Sequence, residues 1–151
     1  MSSDLRDLYQ QMIMDHNKNP KNFRIMPDAT QKAEGFNPLC GDHFFVFLKI
    51  KDNVIEDMSF EGAGCAISKA SASMMTGALK GKTCEAAKSI FSEVSKMLSR
   101  KTDEPVDHEK IGKLAVFAGV CEFPARVKCA SLAWHTMMEA LDPTGKQITT
   151  E

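Results

Sequence analysis

"FFVFLKIKDNVIEDMSFEGAGCAISKASASMM", Phe44 to Met75, changes its periodicity twice, and those changes decide the fold. Phe44–Ile50 and Val54–Phe60 are rich in aromatic and β-branched residues, which predicts two strands. "KDN" between them predicts a tight hairpin, because Asp and Asn tolerate positive φ. After the glycine-rich "EGAG" the apolar residues fall at helical spacing: Ile67, Ala70, Met74, Met75 and Ala78. That predicts a helix over 66–79. Cys65 stands where the turn hands over to this helix.

Working outward, Leu5, Leu8, Tyr9, Met12 and Ile13 form one apolar stripe, which predicts a first helix with Ser3 as its N-cap. "HNKNPKNF" ends it, and an edge strand is expected near 29–36. Downstream, 83–98 reads as a helix with Ala87, Ile90, Phe91, Val94 and Leu98 along one face. "SRKTDEPVDHEK" reads as an exposed loop, and Ile111–Val120 as a short helix. "FPARVKCASLAWHTMMEAL" is the last helix, with Pro124 in its first turn and Val127, Trp134, Met138 and Leu141 as its core stripe. "DPTGKQITTE" is expected to fray. Strands come first and helices follow, so the class is α+β, a small antiparallel sheet under a helical layer. No repeat or linker divides the chain, and residues 1–151 read as a single domain.

Composition narrows the function. Hydrophobic residues make up 43% and charged ones 26%, the balance of an ordinary globular protein. The net charge is −1 and Lys and Arg do not cluster, which gives no electrostatic case for nucleic acid. No apolar run nears the roughly 20 residues that span a bilayer, so no membrane role is expected. "MSSDLRDLYQ" lacks a secretory leader, so the expected location is cytoplasmic. An odd number of cysteines in that compartment argues against a disulfide framework.

The thiols then need another explanation. Cys40 and Asp42 flank Gly41 in "NPLCGDH", at the entry to the first clear strand. Cys65 lies at the exit of the next. A hairpin sets the start of one strand beside the end of the other, so these three residues gather at one end of the sheet. At a helix N-terminus Cys65 meets free N–H groups and the positive dipole end, which favour thiolate. Cys129 lies roughly 200° around its helix from Val127 at 100° per residue, off the core stripe and free to face the same site. Three thiolates and a carboxylate complete a tetrahedral zinc site, with Arg126 and Lys128 to offset its charge. The alternative is that all five cysteines are small apolar packing residues.

"LYQQMIMDHNKNPKNF", "NPLCGDHFF", "FEGAGCAISKASASMM" and "FPARVKCASLAW" together resemble the SufU branch of the IscU-like, NifU N-terminal-like iron–sulfur cluster assembly family. The resemblance runs from the first helix to the last. It implies an IscU-like fold, with a three-stranded antiparallel sheet against a helical layer, and a metal site of Cys40, Asp42, Cys65 and Cys129. Lys128 stands where scaffold-type members carry a histidine, "FPARVK" replaces their chaperone-read LPPVK segment, and the stretch between Cys65 and Cys129 is longer than theirs. All three are SufU-like traits. The resemblance therefore implies a zinc-dependent sulfurtransferase that takes persulfide sulfur from a SufS-type cysteine desulfurase and passes it to SufBCD. Docking of the desulfurase would displace one thiolate from zinc. Cys40, beside flexible Gly41, is the expected sulfur acceptor, with Arg126 as a helper that pairs with Asp42 or the freed thiolate. The alternatives are a scaffold that builds a [2Fe–2S] cluster or holds iron on the same residues, and a non-catalytic domain with structural zinc. A monomer or weak dimer is expected.

The remaining polar residues have plainer readings. Cys84 and Cys121 read as packing residues. His43 is a rival fourth ligand, but strand alternation turns it away from Asp42. His16 reads as a cap on the first helix, His108 as solvated and His135 as surface or packing. Met74, Met75, Met137 and Met138 fall at helical spacing and read as core.

Overall fold

The computed structural model describes the backbone over residues 3–150 and the side chains over residues 6–150. The helix Ser3–Lys18 (α1) includes Ser3 in its first turn, and the side chain of Leu5 lies outside the described residues. The three expected strands are present as Gln31–Asn37 (β1), Asp42–Lys51 (β2) and Val54–Ala63 (β3). They pair antiparallel in the order β3-β2-β1. The β2–β3 turn has φ of +52° at Asp52 and +64° at Asn53, the primed-turn geometry that their short polar side chains allow.

Two strand expectations need correction. The sheet has a fourth strand, Ile148–Thr149 (β4), parallel to β1 at Gly35 and Phe36, so the chain end does not simply fray. β1 offers an open edge, and the returning chain takes it, with the Thr150 N–H donating to the Phe36 carbonyl at 3.3 Å. The β2–β3 ladder also continues to Phe44↔Gly62 and His43↔Ala63, past the glycine that reads as a turn. Gly62 has φ of +139°, and a Cβ there would lie 2.1 Å from the His43 carbonyl oxygen. The glycine lets the ladder run on rather than end.

The helices Ala66–Leu79 (α2) and Cys84–Ser99 (α3) fall where the periodicity places them. Thr83 caps α3, its hydroxyl accepting from the Ala86 N–H at 3.1 Å. A single turn, His108–Ile111 (α4), follows the polar loop. The segment after it, Gly112–Glu122, is helical as expected and takes the 3₁₀ form. Leu114 to Ala118 are all buried, so this stretch crosses the interior and has no solvent face to give it an α-helical period. Pro124–Leu141 (α5) closes the helical layer, with Pro124 in its first turn.

One face of the sheet carries the core. Phe44, Val46 and Leu48 of β2 and Ile55, Met58 and Phe60 of β3 are fully buried, in one cluster with Met75 and Leu79 of α2 and Leu132, Trp134 and Met137 of α5. Each large side chain so buried contributes about 1.5–3 kcal/mol. Helix α5 lies so close to β1 that a Cβ on Gly35 would overlap the Thr136 hydroxyl. It packs against α2, α3, the 3₁₀ segment and the sheet. This widens the expected stripe. Trp134 and Leu141 are buried but Val127 and Met138 only half-buried, while Cys129, Ala130, Leu132, Ala133, Thr136, Met137 and Ala140 join the interior. Cys129 therefore lies off the stripe and is buried all the same.

Candidate metal centre

The site is built at the β1–β2 turn. Asn37 and Asp42 face each other across the ladder, and residues 38–41 loop between them. The loop closes when the Gly41 N–H donates to the Asn37 carbonyl at 2.9 Å, with Gly41 at φ +73°. That angle is why a glycine separates Cys40 from Asp42. Cys40 is carried outward on the loop and is exposed, while Asp42 points into the core face and is fully buried.

Both oxygens of Asp42 are engaged. Oδ1 accepts from the Cys65 N–H at 2.8 Å, and Oδ2 accepts from Asn37 Nδ2 at 3.2 Å. The first bond spans the hairpin, as the sequence argument requires. It depends on Gly64, where a Cβ would lie 2.8 Å from Asp42 Oδ1. Cys65 is the N-cap of α2, its sulfur accepting from the Ser68 N–H at 3.4 Å. Cys129 reaches the site from α5. Its sulfur lies 3.2 Å from the Cys40 sulfur and 3.5 Å from Asn37 Nδ2.

Donor atoms of Cys40, Asp42 and Cys129 all lie within 4.8 Å of one another. Cys65 adjoins Cys129 but falls outside that closed trio. Burial first, then contact with Cys40 and Cys65 and the charges of Cys65 and Asp42, push the Cys129 thiol well up from its usual range. The cause shows what the cluster lacks. Among the described residues no lysine, arginine or histidine pairs with the buried Asp42 carboxylate, so the negative groups have no cationic side chain to balance them. A metal cation bound by sulfur and oxygen fits that donor set.

The site opens on a cleft of about 1170 Å³, lined by Cys40, Cys65 and Cys129 and by Tyr9, Ile13 and Met14 of α1. Arg126 is exposed on its rim, its guanidinium over the Phe123 ring at 4.8 Å. Its expected pairing with Asp42 is not among the contacts of the described residues: Asp42 is fully buried and bonds Asn37 and Cys65, while Arg126 is exposed. His43 points to the opposite face of the sheet and pairs with Glu34 at 2.5 Å, as alternation predicts. His16 lies in the last turn of α1, as expected, and its Nδ1 bonds the Ser73 hydroxyl at 2.7 Å. Cys84 packs against the core, and burial raises its thiol. Cys121 also lines the cleft, and its sulfur accepts from Arg100 Nη1 at 3.1 Å. Asn37 is the site residue that sequence reasoning missed. "NP" reads only as turn punctuation, and the pairing of Asn37 with Asp42 appears once the register is known.

The fold and site together define a small α+β protein that gathers thiols and one buried carboxylate at the mouth of a cleft, a donor set that fits a soft metal ion. Residues 8–130 match the NifU-like N terminal domain, and the chain belongs to that family, the IscU-like proteins of iron–sulfur cluster assembly. It is 43% identical over 137 residues, 90% of each chain, to the zinc-dependent sulfurtransferase SufU of Bacillus subtilis. It is 41% identical over 135 residues, 89% of this chain and 92% of the other, to the iron–sulfur cluster assembly scaffold protein IscU of Thermotoga maritima. Among solved structures, a candidate scaffold protein for the SUF system from Fervidobacterium islandicum superposes with a TM-score of 0.81 at 33% identity, over 90% of this chain and 98% of that one. No helix among the described residues is long and apolar enough to cross a membrane.

Proposed function

We propose that this chain is a zinc-bound sulfur acceptor, which takes persulfide sulfur on Cys40 from a SufS-type cysteine desulfurase and hands it to a SufBCD-type assembly complex. The observation that carries this reading is the unequal setting of two adjacent thiols: Cys40 is exposed on a glycine-hinged loop, and Cys129, 3.2 Å away, is 2% exposed. Cys40, Asp42, Cys65 and Cys129 are the proposed ligands. Zinc supplies a Lewis acid that keeps bound thiols deprotonated at neutral pH. Cys40 is the ligand able to leave. Its thiolate attacks the terminal sulfur of the donor persulfide, a new S–S bond forms on Cys40, and the donor cysteine departs as a thiolate. No net oxidation occurs. Arg126 lines the cleft and would meet that anionic donor.

The experiment is elemental analysis of protein purified anaerobically without added metal, followed by a desulfurase assay. About one zinc per chain is expected for a closed four-ligand site, with stimulation of the desulfurase that Cys40→Ser abolishes. Zinc-bound Cys40→Ser with full stimulation refutes the acceptor assignment. The second reading, a [2Fe–2S] scaffold, is favoured by the scaffold naming of the Thermotoga relative. Iron with matching labile sulfide and a brown colour would establish it. Asp42→Ala separates the two: it should trap a cluster on a scaffold, but weaken zinc and end transfer in a sulfur acceptor.

A further inference from the structure

We propose that Asn37 is the positioning residue of this centre: its side-chain amide fixes Asp42 and Cys129 as permanent ligands and leaves Cys40 as the one that exchanges. The proposal rests on the zinc reading above.

Asn37 is fully buried at the end of β1. Its Nδ2 donates to Asp42 Oδ2 at 3.2 Å and to Cys129 Sγ at 3.5 Å. Its Oδ1 accepts from the Leu39 N–H at 3.3 Å, and its carbonyl from the Gly41 N–H at 2.9 Å. One residue therefore ties together strand β2, helix α5 and the loop that carries Cys40. The amide orientation follows from these partners. Turned over, it would set a carbonyl oxygen against the buried carboxylate and an NH₂ against a backbone N–H.

The chemistry sorts the thiols. An N–H donated to a bound thiolate stabilises its charge and draws electron density from the sulfur. Cys129 receives that bond in a buried setting. Cys40 receives no N–H among the described residues; its sulfur meets the Cys129 sulfur instead. Two thiols in contact are thereby made unequal, one retained and one free to react. A neutral amide suits the position. A lysine or arginine would replace the metal's charge, an aspartate would repel both ligands, and a leucine would leave Asp42 Oδ2 unsatisfied.

The test uses Asn37→Asp and Asn37→Ala, each checked for native circular dichroism. Three readouts are compared with the parent chain: zinc affinity by chelator competition, the thiolate charge-transfer bands of the cobalt-substituted protein, and the order in which iodoacetamide alkylates the cysteines of the zinc form. Zinc affinity is expected to fall roughly 10–100-fold, with altered cobalt bands. Cys129 should lose its protection relative to Cys40. Folded variants with zinc affinity within about twofold of the parent and the same alkylation order would overturn the proposal. Should neither variant fold, the parent chain loaded with ¹¹³Cd decides it. The Asn37 side-chain amide is expected to shift downfield and couple to cadmium through the sulfur, and an amide signal identical with and without cadmium overturns the assignment. A parent chain that takes up neither zinc nor cadmium overturns the zinc reading, and this proposal with it. A parent that binds metal, with Asn37 indifferent, overturns the positioning role alone.

Discussion

Gly64→Ala tests how tightly the site is packed. A Cβ at this position would lie 2.5 Å from Ser68 Oγ, 2.8 Å from Asp42 Oδ1 and 2.9 Å from Phe44 Cε2. Gly64 does not occupy the left-handed region, so the backbone accepts alanine and the conflict is one of space alone. The Ser68 hydroxyl can turn aside. The Phe44 ring is fully buried, and Asp42 Oδ1 is held by the Cys65 N–H at 2.8 Å. Overpacking of this kind costs about 1–3 kcal/mol. If Asp42 yields, a charge-assisted hydrogen bond worth about 1.5–3 kcal/mol goes with it. The reduced freedom of the unfolded chain returns about 0.4–1 kcal/mol. Where Asp42 yields, the net is a loss of about 2–5 kcal/mol, or roughly 4–20 °C in Tm for a chain of this length. Urea melts of the metal-free protein measure it, and chelator competition then reads the damage to metal binding. Gly77→Ala is the control, because Gly77 is exposed inside α2 with nothing within 4 Å of its Cβ position, and alanine there should stabilise by about 0.5–1 kcal/mol. Metal-free Gly64→Ala within about 0.5 kcal/mol of the parent would refute the reasoning, since errors of that size are ordinary for surface changes.

Gly35→Ala should cost at least about 1–3 kcal/mol, because its Cβ would lie 1.9 Å from the buried Thr136 hydroxyl and 3.1 Å from Leu132 Cδ1. Adding Thr136→Ala should recover part of that loss in the same urea melt, and a purely additive double variant would argue against this contact. The His16 imidazole sits below its ordinary 6.5 through burial first, then Lys21, with Asp15 opposing and Lys113 adding to the shift. The folded state therefore prefers neutral His16. Its contribution is complete above pH 6.5 and is lost as pH falls from there through the lowered folded value. His16→Gln should flatten part of the stability decline below pH 6.5, leaving the part due to His135, whose imidazole burial also lowers; an unchanged slope refutes this.

Much of this fold was legible because its signals are local and repeated. Strands β2 and β3 announce themselves by aromatic and β-branched runs, and the Asp52–Asn53 turn by residues that tolerate positive φ. From that hairpin alone, Cys40, Asp42 and Cys65 could be brought to one end of the sheet. What escaped was non-local. Ile148 and Thr149 become a strand only because β1 has an open edge, which no pattern around them encodes. Gly62 reads as a turn and serves as a strand residue, because the need there is close approach to His43. Asn37 has no signal beyond "NP"; its role exists only once register sets it opposite Asp42 and α5 brings Cys129 above it.

The placement of the four proposed ligands explains why this site would open at one corner. Asp42 is anchored by a strand, Cys65 by the first turn of α2 and Cys129 by α5, all elements packed into one core. Moving any of these three means disturbing that core, at a cost of kilocalories. Cys40 alone sits on a loop, closed by the Gly41 N–H bond to the Asn37 carbonyl and the Leu39 N–H bond to Asn37 Oδ1. Its movement needs little more than rotation about residues 39–41. A structural metal site has no use for such a weak corner, since four rigid ligands hold an ion better than three. A site that must release one thiol on demand, and recover it afterwards, requires a weak corner facing the cleft. Phe123, 47% exposed, lines the cleft, and Leu39, 62% exposed, precedes Cys40 on its loop, so both leave apolar surface uncovered. Single exposed apolar residues are unremarkable, but one that lines the cleft and one that adjoins the proposed acceptor Cys40 are where the proposed sulfur donor would make contact.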